Sequence, residues 1–222
     1  MTEQEWLACT DPGSMLLFLE NTRSYRKFRL FAVACCRRIW PLMSEQRSRH
    51  IVEVAERDAD DVADPEELEE ALNAAPVDLE GIDNATEAAA YAASCDDVQS
   101  AACLAADYAA AAADGLPPRS LTGRTRWRAA GTAERAVQAE LLRCLFGNPF
   151  RPVGLNPSRV TPTVTGLADT IYQERAFDLL PVLADALEEA GCDNAEILHH
   201  CRGKTPHARG CWLVDLLLAR KE

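Results

Sequence analysis

The amino-acid sequence predicts an all-α protein, a multi-helix bundle, and three observations support that class. Residues that start and stop helices recur along the whole chain. Alanine fills 15 of the 29 positions from 85 to 113, a composition that favours helix. No run of alternating β-branched residues is long enough to predict a strand. With 222 residues, 48% of them hydrophobic, the chain can bury a substantial core.

The first helices are predicted from capping residues. Thr2 followed by Glu5 forms a capping box for a short helix, and Ser14 is the predicted cap of an apolar turn at 15–19. Ser44 is the predicted N-cap of a helix that runs to about residue 63.

Ser24 begins the strongest predicted helix, which Pro41 ends after residue 40. On its helical wheel Phe28, Cys35 and Ile39 lie on one side, and basic residues lie on the other. This pattern predicts an amphipathic helix at the surface, with Ile39 buried.

The middle of the chain contains further start and stop residues. Asp64 with Pro65 begins a helix of about ten residues. The alanine-rich stretch is expected to form two helices, hinged at 94–97 and ended by Gly115. We expect a loop over 119–126 and then a helix over 127–146.

Four prolines between residues 148 and 162 predict a connection that is neither helix nor central strand. The expected organisation is therefore an N-terminal helical lobe at 1–147, a proline-rich connection at 148–161 and a compact C-terminal helical lobe at 162–222. Thr161 and Thr205, each followed by proline, are predicted to start the first and last helices of that lobe. The helices expected there cover 162–175, 178–190, 195–201 and 205–219.

The charge is unevenly distributed. The net charge of −12 argues against generic binding to nucleic acid or to an anionic membrane, because such binding depends on cations that neutralise phosphates. Residues 23–49 are basic and residues 53–83 are acidic, so pairing between these neighbours is the first interpretation. The alternatives are an acidic protein segment, or nucleic acid or another anion, bound to the basic face of helix 24–40. The candidate partner-binding residues are Arg23, Arg26, Lys27, Arg37 and Arg38.

Three of the four histidines and three of the nine cysteines lie within twenty residues near the C-terminus. Thiolates and imidazoles are the ligands that zinc prefers. We expect His207 and Cys211 to share one face of the first turn of the final helix. The candidate structural zinc ligands are Cys192, Cys201, His207 and Cys211. The first interpretation of this cluster is that the buried cysteines act as small hydrophobic residues. A structural zinc ion, and thiol catalysis in which a histidine deprotonates a cysteine, are the alternatives.

The segments TEQEWLACTDP and RLFAVACCRRIW lie near the start of the chain, and FGNPFRPV, LADALEEAGC and HARGCWLVDLLL lie towards its end. Together they resemble an uncharacterised family of helical proteins from planctomycete bacteria. The stretch LADALEEAGCDNAEILHHCR at 183–202 is also similar to the planctomycete repeat-companion domain. The resemblance implies a helical fold and no particular mechanism.

The sequence contains no glycine-rich nucleotide loop and no serine hydrolase elbow. We therefore expect a non-catalytic protein-protein interaction or adaptor module. The first alternative is an enzyme or metal-dependent protein that uses the C-terminal cysteines and histidines, and the second is anion or nucleic-acid binding by helix 24–40. No cofactor is expected, and a structural zinc ion is the one alternative. The acidic start, without an export signal, favours a cytoplasmic protein without membrane contact.

Overall fold

The structure, a computed structural model, describes residues 1–22, 24–74, 83–94, 97–116 and 131–220. These residues form twelve α-helices and no β-strand, which confirms the all-α multi-helix class. None of the helices in these ranges is long and apolar enough to cross a membrane. In chain order the helices are α1 Glu3–Ala8, α2 Pro12–Phe18, α3 Tyr25–Arg38, α4 Gln46–Asp58, α5 Pro65–Asn73, α6 Asn84–Ala93, α7 Val98–Ala113, α8 Thr132–Phe146, α9 Pro162–Glu174, α10 Leu180–Glu189, α11 Ala195–Arg202 and α12 Trp212–Leu217.

Several helix starts lie where the capping residues predict them. The amide of Thr2 donates to Glu5 at 2.7 Å and the amide of Glu5 donates to the Thr2 hydroxyl at 3.3 Å, so the capping box of α1 is confirmed. The side chains of Ser24, Asp64 and Thr161 each accept a hydrogen bond from the first turn of the helix that follows. These local signals therefore place the starts of α3, α5 and α9.

Two predicted starts near the beginning of the chain were wrong. Helix α2 begins at Pro12, because the Asp11 carboxylate is its cap and accepts a hydrogen bond from the Ser14 amide at 3.1 Å. Helix α4 begins after Glu45 rather than after Ser44. The predicted loop at 119–126 and the predicted start of a helix at residue 127 lie outside the described residues, and that helix is described from Thr132 as α8.

Contacts between residues divide the chain into two compact units. The first comprises Ala8–Ala139 with Met1, and the second comprises Thr2–Leu7 with Glu140–Glu222. The division falls inside α8.

In the first unit α3 packs against α4, α6 and α7, and the buried faces of α6 and α7 consist largely of alanine. Phe28, Cys35 and Ile39 are buried as predicted. The expectation that α3 is a surface helix was wrong, because these neighbours cover it on several sides and every residue from 27 to 36 is buried.

The second unit has a core of apolar side chains from α9, α10, α11 and α12, including Ile171, Leu183 and Leu213. Residues 148–161, which we predicted to be a connection, belong to this unit. Val153, Leu155 and Val160 from that stretch pack against its core. Apolar residues between the prolines therefore hold the segment in place.

The last helix is much shorter than predicted. It covers Trp212–Leu217, whereas the start at Thr205 and Pro206 predicted a helix over 205–219. Gly210 has a φ of +86°, in the left-handed region that an α-helix cannot contain. Residues 207–211 are therefore irregular backbone and not a helical turn.

Candidate metal centre

Four side chains with metal-ligating atoms converge in the second unit: Cys144, His200, His207 and Cys211. We call them the Cys/His group. Their sulfur or ring nitrogen atoms all lie within 4.8 Å of one another. Two cysteines and two histidines are a common ligand set for a structural zinc ion.

Each member of the Cys/His group comes from a different segment. Cys144 lies near the end of α8, and His200 lies in the last turn of α11. His207 lies in the irregular segment after α11, and Cys211 is the residue immediately before α12. The group therefore depends on the packing of the whole unit.

Two contacts define the geometry of the group. Cys144 Sγ lies 3.5 Å from His207 Nδ1, and His200 Nε2 lies 3.0 Å from Cys211 Sγ. The two imidazole rings meet edge to face, with centroids 4.9 Å apart. Ligand atoms of a tetrahedral zinc ion lie about 3.5 Å from one another, so these spacings suit the ion.

The group is partly enclosed. Both cysteines are buried and both histidines are half-buried. Among the described residues, no hydrogen-bond partner meets the buried Nε2 of His207. In a neutral imidazole one ring nitrogen carries a proton and the other is a hydrogen-bond acceptor or metal ligand. Burying either nitrogen without a hydrogen-bond partner or a metal ion costs free energy.

The surroundings of the Cys211 thiol favour loss of its proton. Burial raises the pKa of this thiol, but hydrogen bonds with Cys144, His200 and His207, together with the electrostatic effect of His200, lower it more, so the pKa of Cys211 lies well below its usual value. A thiolate, rather than a thiol, is the form that binds metal ions.

A cleft of about 510 Å³ borders the group. Cys144 and His200 line it, together with Trp6, Arg143, His199 and Trp212. Arg143 forms an ion pair with Glu140 at 2.7 Å. The group can therefore be reached from this cleft on the side of Cys144 and His200.

The structure brings together half of the zinc ligands that the sequence predicts. His207 and Cys211 belong to the Cys/His group, but they meet through an irregular segment and not, as expected, on one helical face. Cys192 and Cys201 lie in the apolar core of the unit, outside the group. Burial raises the pKa of the Cys201 thiol to about 12, which favours the neutral thiol.

Sequence reasoning missed Cys144 and did not single out His200. Cys144 lies far from the other three in the sequence, and no spacing motif links it to them. His200 stands beside His199, and only the packing of α11 shows which histidine turns inwards: His199 is exposed and His200 is half-buried.

The predicted partner-binding residues lie in the first unit, and two of its arginines pair with the acidic segment. Arg26 Nε lies 3.0 Å from Asp60 Oδ1, and Arg37 Nη2 lies 2.7 Å from Glu56 Oε2. Pairing between the neighbouring basic and acidic segments, our first interpretation of the charge distribution, is therefore confirmed at these residues.

Arg38 and Lys27 are also not exposed cations that are available to an external partner. Arg38 donates two hydrogen bonds to the Glu134 carboxylate, at 2.6 and 2.8 Å. Lys27 is only 1% exposed. Arg23 lies outside the described residues.

No family model, no curated protein and no solved structure matches this chain. The resemblance to a planctomycete family therefore stays a prediction.

Proposed function

We propose that this protein binds a zinc ion at the Cys/His group. One observation carries the proposal: four sulfur and nitrogen atoms of zinc-ligating residue types lie within 4.8 Å of one another inside one compact unit. A tetrahedral site of two sulfur and two nitrogen atoms is typical of zinc or of iron-sulfur centres, and imidazole favours zinc.

The electrostatics of the group support this choice. Two thiolates neutralise the two positive charges of the ion, so a zinc ion adds no net charge to a buried site. The lowered pKa of Cys211 already favours one of those thiolates. The buried Nε2 of His207 shows that hydrogen bonds within the described residues do not satisfy the group completely.

The Cys/His group joins four segments of the second unit, and a bound zinc ion connects at least three of them. These are the end of α8, the segment that follows α11 and the start of α12. Because the unfolded chain does not hold these segments together, metal binding adds to the free energy of unfolding of this unit.

The test is metal analysis of the full-length protein, purified without chelators and without nickel resin. We expect about one equivalent of zinc per chain. Removal of the ion by a chelator should lower the midpoint of thermal unfolding, and addition of zinc under reducing conditions should restore it. A reduced protein that neither carries zinc nor takes it up would refute the proposal.

Two matched variants identify the ligands. Cys144→Ala and Cys192→Ala each remove one buried sulfur from the second unit. We expect Cys144→Ala to lose the zinc and Cys192→Ala to keep it. The opposite result would favour the ligand set predicted from the sequence, in which Cys192 and Cys201 take part.

The adaptor function predicted from the sequence has less support than zinc binding. The arginines expected to hold an acidic partner already pair within the chain, so charge reversal at Arg26 or Arg37 would also break an internal ion pair. Binding of an acidic protein segment, of nucleic acid or of another anion at this face stays a prediction from the sequence. A partner would have to displace Asp60 and Glu56 or contact other residues.

A further inference from the structure

The Trp212 side chain determines which nitrogen of His200 carries a proton. Trp212 Nε1 donates a hydrogen bond to His200 Nδ1 at 3.3 Å. An indole N–H is a donor only, so His200 Nδ1 acts as the acceptor and has no proton. The proton of the neutral ring is then on Nε2.

The protonated Nε2 faces the sulfur of Cys211. The two atoms are 3.0 Å apart, so Nε2 donates a hydrogen bond to Sγ. A nitrogen that carries a proton has no lone pair to offer to a metal ion. With this tautomer His200 positions the thiolate of Cys211 and does not itself ligate.

Three side chains of the group then remain as ligands: Cys144, His207 and Cys211. A zinc ion held by three protein side chains takes its fourth ligand from solution, as in catalytic zinc sites. The cleft of about 510 Å³ supplies a route for that ligand, since it reaches the group at Cys144 and His200.

We infer that zinc bound at this group has three protein ligands, Cys144, His207 and Cys211, and takes its fourth ligand from the bordering cleft as water or a small monoanion. The inference rests on the proposed zinc binding and names the ligand class of the same site. A zinc ion with two thiolates and one imidazole has no net charge, so it accepts either a neutral water or a single negative charge.

The arrangement also assigns a role to Trp212. Its ring lies against His200, with centroids 5.1 Å apart, and its N–H holds the tautomer that keeps His200 from ligating. A partner of this kind orients a metal site without touching the metal.

The experiment uses full-length protein loaded with cobalt(II) in place of zinc, with sodium azide as the probe. The visible spectrum of tetrahedral cobalt reports its ligands. We expect azide to shift the spectrum of the wild-type protein in a saturable way. A spectrum that azide leaves unchanged would show a closed site with four protein ligands and would overturn the inference.

Two variants test whether His200 is a metal ligand. His200→Gln keeps a side-chain N–H near the Cys211 sulfur, so we expect it to bind one cobalt ion about 10- to 100-fold more weakly and still to respond to azide. His207→Gln should lose the sulfur-to-cobalt absorption. If His200→Gln loses that absorption to the same extent, His200 is a ligand and the inference is wrong.

Trp212→Phe supplies a second test that keeps the apolar ring. Without the indole N–H, His200 can move its proton to Nδ1 and ligate through Nε2, so the azide response should decrease while cobalt binding persists. An azide response equal to that of the wild type would contradict the role of Trp212. A wild-type protein that takes up neither zinc nor cobalt would instead refute the proposed function.

Discussion

Ile39 and Leu42 lie three positions apart at the end of α3 and in the turn that follows it, but only Ile39 is buried. Ile39 is 2% exposed and Leu42 is 50% exposed. We predict that Ile39→Asp lowers the free energy of unfolding by about 3 kcal/mol or more, because it places an unpaired charge in the core. Leu42→Asp is the matched control and should change it by about 0.5 kcal/mol or less. Chemical denaturation measures both, and equal losses would contradict the prediction.

The buried Cys36 thiol makes the free energy of unfolding depend on pH in the alkaline range. Burial raises the pKa of its thiol from 9.0 to about 12, and the charge of Arg37 offsets part of that effect. As the pH rises above 9, the unfolded thiol loses its proton while the folded thiol keeps it. The contribution of Cys36 to the free energy of unfolding is therefore fully present below pH 9 and is lost between pH 9 and 12.

The matching measurement compares wild type with Cys36→Ala. Between pH 8 and pH 10 the free energy of unfolding of the wild type should fall by about 1 kcal/mol more than that of the variant. The variant is less stable at both pH values because it leaves a cavity, so only the difference between the two pH values is informative. The same fall in both proteins would show that Cys36 does not titrate in this way.

At the scale of elements, Thr161 caps α9. Its hydroxyl accepts a hydrogen bond from the Val164 amide at 3.3 Å. We predict that Thr161→Ala lowers the free energy of unfolding by about 1 kcal/mol, the usual loss when a capping residue is removed. Thr163→Ala, an exposed position inside the same helix, serves as the control and should have little effect. If both variants unfold at the same denaturant concentration, the cap is unimportant.

The starts of α3 and α9 were predictable because the capping bond is local. Thr161 and Ser24 were identified because each needs only its own next turn as partner. The length of α12 was not predictable in the same way, because Thr205 with Pro206 also gives a valid start signal. The left-handed backbone at Gly210 delays the helix, and the sequence pattern alone does not reveal that conformation.

For the molecule as a whole, the assignment of Thr2–Leu7 to the second unit matters most, because these residues lie far from the rest of that unit in the sequence. Trp6 is fully buried there, its Nε1 donates to the carbonyl of Gly147 at 3.2 Å, and its own carbonyl accepts from Arg143 Nη1 at 2.8 Å. We predict that Trp6→Ala lowers the free energy of unfolding by about 3 to 5 kcal/mol.

Hydrogen exchange locates that effect. Amides of α9 to α12 should lose more protection in Trp6→Ala than amides of α3 to α7, because Trp6 packs in the second unit. Leu7→Ala, next to it but 55% exposed, should leave both sets of amides protected as in the wild type. Greater loss of protection in α3 to α7 would contradict the assignment of Trp6 to the second unit.

The helical class, several helix starts and the internal pairing of opposite charges could be predicted from the amino-acid sequence. Each of these depends on residues that are close in the chain: a cap and its next turn, an alanine-rich run, or two neighbouring segments of opposite charge such as those of Arg37 and Glu56. Apolar periodicity also identified Ile39 as buried. The same helical wheel placed Lys27 on the exposed basic face, but this residue is buried. A wheel shows the two faces of a helix and not how many neighbouring helices cover them.

The residues that form the Cys/His group, and those that form each of the two units, could be identified only from the three-dimensional packing. The sequence pointed to His207 and Cys211, but Cys144 reaches them because the end of α8, from Glu140 onwards, belongs to the same unit as α11 and α12. The placement of α1 with residues 140–222 is equally invisible in the sequence. Contacts between distant residues depend on how complete helices pack, and packing depends on the shapes of many side chains at once.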